Sequence, residues 1–161
     1  MHAADGSVSL VPVTPDDQQF LYDLYCSTRS EELDAVGFDP QQREMFFKLQ
    51  YNSQRQVYAY QFSEKRHSII RAGDRRVGRI WVFDDKDQVR LIDISLLPEA
   101  RSRGIGTELI EQLKTEAADT GKTLRLQVAI GNRAIELYRR LGFLEIGQSG
   151  SHYQMEWRPD A

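Results

Sequence analysis

The sequence predicts a mixed α/β domain with a largely antiparallel sheet and one parallel pair of strands. Three observations carry this. Helical spacing governs much of residues 14 to 51, and after residue 67 the apolar period changes to two. The stretch Leu91 to Leu113 reads as a strand, a glycine-rich turn and a helix in immediate succession. A further alternating strand, Leu124 to Ile130, follows that helix, and a crossover helix makes the two strands it joins parallel.

In chain order, residues 1 to about 7 read as loose, and Val8, Leu10, Val11 and Val13 form a first strand. Thr14-Pro15-Asp16-Asp17 then offers an N-cap, a proline at the first helical position and acids in the first turn. Phe20, Leu21, Leu24 and Tyr25 supply the buried stripe of the helix, which fades near Thr28-Arg29. A second start, Asp39-Pro40-Gln41-Gln42, contains a capping box and leads through Met45, Phe46 and Leu49 to about Tyr51. Residues 52 to 66 carry no clear period. Ser68 to Arg71 and Val77 to Phe83 form a hairpin, and Asp84-Asp85-Lys86-Asp87 turns into the strand at Leu91. Leu91, Ile92, Ile94, Leu96 and Leu97 make a nearly continuous apolar run, which suits a strand covered on both faces. Ile105, Leu109, Ile110, Leu113 and Ala117 mark the buried face of the next helix, closed by Gly121. A short helix after Asn132 ends at Gly142, and Phe143 to Ile146 and Tyr153 to Trp157 are last strands around a Gly147 to Gly150 turn.

At 161 residues and 40% hydrophobic, the chain suits a single domain over 1–161, with no internal repeat or linker. A net charge of −3 argues against a nucleic-acid-binding module. Cys26 is the one cysteine, so no internal disulfide forms, and a reduced, cytoplasmic compartment is expected. No signal-peptide pattern and no membrane-length apolar run is visible.

The glycines of the central stretch fall where a helix begins. The first amides of a helix lack internal partners and sit at the positive end of its dipole, so they attract an anion. Gly104 and Gly106 would let the backbone approach a phosphate, and Arg101 and Arg103 add charge just upstream. A tight turn with solvated arginines is the plainer alternative. A P-loop does not fit, because Thr107-Glu108 follows Gly106; nor does the dinucleotide fingerprint, where Leu109 occupies the third glycine position.

The run Leu96-Leu97-Pro98-Glu99-Ala100-Arg101-Ser102-Arg103-Gly104-Ile105-Gly106 resembles motif A of the GCN5-related N-acetyltransferase (GNAT) superfamily, Gln/Arg-x-x-Gly-x-Gly/Ala after a strand. The later run with Asn132, Ala134, Leu137, Tyr138, Gly142 and Phe143 resembles its motif B. The resemblance covers residues 68 to 157 well, and the first sixty only as two helices. It implies the family fold, with the parallel pair splayed apart, and acetyl-coenzyme A as co-substrate with no metal. It further implies that Leu96, Leu97, Arg101, Ser102, Arg103, Gly104, Ile105, Gly106, Thr107 and Asn132 bind the coenzyme. The thioester carbonyl would be polarised by the amide of Leu96 or Leu97, and Tyr138 would hydrogen-bond the departing sulfur.

Tyr138 also lies on the apolar face of its helix, so a core role competes. A base is needed because a lysine-like amine is protonated at neutral pH. Asp93 is the candidate, since it interrupts a central strand, although pairing with a neighbouring arginine or tyrosine would explain it equally well. Glu32 and His152 are weaker candidates, and a water chain would need no single side chain. Acids outnumber Arg29 and Arg43 between Thr14 and Glu44, a field that would draw a cationic acceptor. The expected activity is N-acetyl transfer from acetyl-coenzyme A to an amine of a small molecule or peptide, with a homodimer compatible and neither nucleic acid nor membrane as partner. The alternative is a non-catalytic acyl-coenzyme A-binding module on the same scaffold.

Overall fold

A computed structural model describes the backbone of residues 7–34, 37–61 and 64–159 and the side chains of 7–29, 37–60 and 65–159. The expected loose start falls almost wholly outside that range, as do the side chains of Glu31, Glu32 and Asp34. In order, the chain forms β1 (Val8–Pro12), a 3-10 turn (Pro15–Asp17), α1 (Gln18–Asp34), α2 (Pro40–Gln61), a 3-10 turn (Glu64–Arg66), β2 (His67–Ala72), β3 (Arg75–Asp84) and β4 (Gln88–Leu96). It continues with a 3-10 turn (Pro98–Ala100), α3 (Ile105–Thr120), β5 (Thr123–Ala129), α4 (Ala134–Arg140), β6 (Leu144–Ser149) and β7 (His152–Trp157).

The strands form a seven-stranded sheet in the order β1-β2-β3-β4-β5-β7-β6. β1–β2, β5–β7 and β6–β7 pair antiparallel, while β4 and β5, joined through α3, are parallel as expected. Contacts divide the chain into two compact units, Met1–Ile80 with Ile94–Arg101, and Trp81–Asp93 with Ser102–Ala161.

In the first unit both helix starts are built as the sequence reads. The Thr14 N–H donates to Asp17 Oδ2 at 2.8 Å, and the Asp17 N–H returns to the Thr14 carbonyl at 2.9 Å. Gln42 N–H donates to Asp39 Oδ1 at 2.8 Å, and Asp39 N–H to Gln42 Oε1 at 3.1 Å, a reciprocal capping box. Leu21, Tyr25, Phe47, Tyr51 and Ile69 form the core, where Tyr25 meets Tyr51 edge-on at 5.4 Å and Phe47 at 6.4 Å. Cys26 packs against this core beside Tyr22, and burial raises its thiol pKa above the ordinary value.

Both helices outlast their expected ends near Arg29 and Tyr51. From Asn52 to Gln61 there is neither Gly nor Pro to stop α2, yet no residue from 52 to 60 is fully buried and Tyr60 is 93% exposed. A helix that is solvated nearly all round shows no apolar stripe, which is why the period is silent there.

In the second unit α3 buries Ile105, Leu109, Ile110, Leu113 and Ala117, the five positions its spacing predicts, and packs on β5. It closes at Gly121, whose φ of 68° suits a residue without a Cβ. β5 alternates, with Leu124, Leu126 and Val128 buried and Arg125 and Gln127 exposed. Its register on β7 sets Arg125 opposite Glu156, and Arg125 Nε lies 2.7 Å from Glu156 Oε2 while Arg158 Nε holds Oε1.

Two expectations are corrected. The last hairpin turns at Gly150, with Gly147 inside β6 and paired with Gln154; the register shifts between Glu145 and Gly147, which leaves Ile146 as the extra residue of a bulge. β4 is buried at Val89 and Leu91 but only half-buried from Ile92 to Leu96. The parallel register ends at the same place, covering Gln88–Leu91 and Thr123–Leu126; even there Gln88 and Arg90 are only half-buried between Val89 and Leu91, so β4 is buried on one face and not on both as expected.

Candidate active site

Pro98 opens a 3-10 turn in which the Ala100 N–H donates to the Leu97 carbonyl at 2.9 Å and the Arg101 N–H to that of Pro98 at 3.3 Å. Ser102 has a φ of 61°, a left-handed backbone that costs a non-glycine residue about 1 kcal/mol and that collects at functional loops. Gly104 follows with φ 84° and caps α3 without a side chain. The first amide bonded within the helix is that of Glu108, to the Gly104 carbonyl at 3.0 Å. The N–H groups of Ile105, Gly106 and Thr107 therefore belong to the unsatisfied first turn, at the positive end of the dipole.

The two glycines differ. Gly104 is required by its left-handed backbone. Gly106 is helical, and a Cβ there would meet only Leu137 Cδ2 at 3.9 Å, ordinary contact. The fold therefore does not need glycine at 106, whereas the close approach of a ligand would explain it.

Upstream, in the first unit, the end of β4 is tied to β3. The Leu97 N–H donates to the Val77 carbonyl at 2.8 Å, so it is already committed within the protein. Arg101 Nε donates to the Leu96 carbonyl at 3.1 Å. Val77 and Gly78, which the sequence presents merely as hairpin residues, thus bear on the segment Ser95 to Leu97. Nothing in their types signals this.

In the second unit Tyr138 and Ile135 are the buried residues of α4, and the Tyr138 ring lies 5.8 Å from that of Phe143. Burial first, and then the negative charge of Asp93, hold the Tyr138 phenol well above its ordinary pKa. The phenol accordingly stays protonated through the neutral range. Asp93 is half-buried and has interactions with other groups of the protein. Asn132 Oδ1 accepts the Ala134 N–H at 2.8 Å, which performs the capping its position predicts although the regular helix begins two residues later.

The remaining candidates are less well placed. His152 is exposed at the β6–β7 turn with Nδ1 3.1 Å from Ser151 Oγ. The acidic surplus of the first helices is partly neutralised on folding, since Asp17 is buried against Arg76 Nε at 2.9 Å and Glu44 pairs with Lys48 at 3.2 Å. Among the described residues no cluster of His, Cys, Asp and Glu could hold a metal ion, and no helix is long and apolar enough to cross a membrane.

Comparison with known proteins agrees with this arrangement. The family model of the acetyltransferase (GNAT) family matches residues 20–143. No curated protein matches significantly. Among solved structures, the fold is similar to that of the PaiA N-acetyltransferase from Thermoplasma acidophilum in complex with coenzyme A (TM-score 0.70, 19% identity, 94% of this chain and 99% of that one). It is also similar to the ribosomal-protein-S18-alanine N-acetyltransferase from Escherichia coli (0.61, 18%, 94% of each chain). A third is Arabidopsis thaliana Naa50 in complex with the bisubstrate analogue CoA-Ac-MVNAL (0.60, 19%, 94% and 98%). At these identities the likeness speaks for the fold, and the family match carries the class: the chain belongs to the acetyltransferase (GNAT) family and is an acyltransferase.

Proposed function

We propose that this protein transfers the acetyl group of acetyl-coenzyme A directly to a primary amine, on a small molecule or a peptide, within a ternary complex. The observation that carries the reading is the start of α3, where uncapped amides follow a loop with a left-handed serine and a glycine at 106 that the fold itself does not require. Such a turn suits a diphosphate, with Ser102 to Thr107 supplying backbone donors and Arg103 a nearby charge.

The chain's own groups then divide the work. The Leu96 N–H stabilises the oxyanion that forms when the amine nitrogen bonds to the thioester carbonyl carbon. As the carbon–sulfur bond breaks, the Tyr138 hydroxyl donates a hydrogen bond to the departing thiolate. With the phenol held above its normal range, complete proton transfer to a thiolate near 8.5 is uphill, so charge stabilisation is its main contribution. The amine must arrive neutral, which for a lysine-like amine at pH 7 costs about 4 to 5 kcal/mol. Asp93, directly or through water, accepts the proton that the amine loses.

One structural neighbour is a ribosomal-protein-S18-alanine N-acetyltransferase and another, Naa50, is in complex with the bisubstrate analogue CoA-Ac-MVNAL, which favours including peptide N-termini among the acceptors tested. The test is release of free coenzyme A thiol from acetyl-coenzyme A with a panel of small amines and peptides. Release with at least one acceptor is expected. Binding of coenzyme A without release for any acceptor would instead favour a non-catalytic sensor, and absence of binding at millimolar ligand would overturn both.

A further inference from the structure

We propose that Arg101 is a positioning residue, whose work is to hold the Leu96 carbonyl and so aim the Leu96 N–H, and that binding phosphate is not its role. The inference rests on the reading that acetyl-coenzyme A is the donor. It comes from three contacts on three consecutive residues of the first unit. A Cβ at position 78 would lie 2.1 Å from the Ser95 carbonyl oxygen, so this carbonyl reaches its place only because residue 78 is glycine. The Leu97 N–H donates to the Val77 carbonyl at 2.8 Å. Arg101 Nε donates to the Leu96 carbonyl at 3.1 Å.

Because a trans peptide points its C=O and N–H to opposite sides, these contacts fix two successive peptide planes. The Leu96–Leu97 plane is gripped at both ends, by Arg101 at its carbonyl and Val77 at its amide. In the Ser95–Leu96 plane the carbonyl is seated over Gly78, so the Leu96 N–H points away from Gly78. Both polar groups of Leu96 therefore face the side away from β3, and Arg101 takes the carbonyl. A donor aimed at a developing oxyanion is effective only if it does not have to reorganise during the reaction. The 3-10 turn Pro98–Ala100 is what returns Arg101 to the residue five places before it. An Arg serves here because Nε belongs to a rigid planar fork, so one hydrogen bond fixes direction as well as distance.

The experiment compares acetyl-coenzyme A with S-acetylpantetheine, which carries the same thioester and no phosphate, in wild type, Arg101→Gln and Arg101→Lys. If Arg101 positions Leu96, each variant loses kcat/KM with both thioesters by the same factor, roughly tenfold or more. Titration calorimetry then gives a coenzyme A Kd within twofold of wild type. A loss confined to acetyl-coenzyme A, or a Kd weakened beyond threefold, assigns Arg101 to the phosphates and overturns the proposal; so does full activity of both variants. Wild-type inactivity with acetyl-coenzyme A counts against the proposed reaction, and the coenzyme A titration alone then decides the role of Arg101 by the same limits.

Discussion

Tyr138 on α4 and Glu156 on β7 are buried to a similar degree in the same unit, at 7% and 4% exposure, and their surroundings treat them in opposite ways. At Glu156 burial by itself would raise the pKa, but hydrogen bonds and charge from Arg158 and Arg125 outweigh it and hold the carboxyl below its ordinary range. At Tyr138 burial and the Asp93 charge act together, and both push upward. A buried acid whose charge is fully answered is a structural joint. In the reaction proposed above, the protonated phenol of Tyr138 is the donor to the departing sulfur. Similar burial therefore does not mean a similar shift: at Glu156 the two arginines decide its sign, and at Tyr138 burial does.

The largest effect that would test this contrast is on turnover. Tyr138→Phe is expected to lower kcat roughly a hundredfold while leaving the coenzyme A Kd within twofold and the folded state intact, as read by steady-state kinetics beside calorimetry. Unchanged kcat would return Tyr138 to the core and remove the contrast. Glu156→Gln should do the reverse, leaving kcat alone and lowering stability at pH 7 by about 1 to 3 kcal/mol. Because the folded pKa of Glu156 lies below its unfolded value, its contribution is full above the unfolded value and is lost as pH falls through the folded one. Urea titrations of the two proteins should therefore begin to converge only as the pH falls below the ordinary glutamate range. A gap independent of pH would mean that charge is not what Glu156 contributes.

The glycines of the turn give the same contrast within a few residues of each other. Gly104→Leu is expected to weaken coenzyme A binding at least tenfold and to lower stability by about 1 to 2 kcal/mol, since φ at 104 is left-handed. Gly106→Ala is the smallest change, raising stability by about 0.5 to 1 kcal/mol because the position is helical and open. Destabilisation by Gly106→Ala in a urea titration would mean that the fold does need that glycine.

Much of this was readable before folding, and for identifiable reasons. The strand, turn and helix from Leu91 to Leu113 announce themselves because burial, backbone freedom and helix capping each select residue types, and all five buried positions of α3 follow from spacing. The capping box at Asp39 is equally local. What stayed hidden depends on partners far along the chain. Glu156 looks like any surface acid until the β5–β7 register brings Arg125 beside it. The commitment of the Leu97 amide to Val77 and the hold of Arg101 on Leu96 leave no mark on composition or period. The polar second half of α2 was unreadable for a different cause, since a helix that buries little has no apolar rhythm to display.

The half-buried sulfur of Cys26 has a practical consequence for enzymology. It is the chain's one thiol, and its burial keeps the thiolate fraction below that of a free cysteine. A chromogenic disulfide dye added to a reaction mixture should therefore colour in proportion to coenzyme liberated, over a nearly silent protein blank. The same quiet blank would let the mixture be made more alkaline, where a larger share of any aliphatic amine is unprotonated, so that nucleophile ionisation could be measured without interference from the catalyst itself.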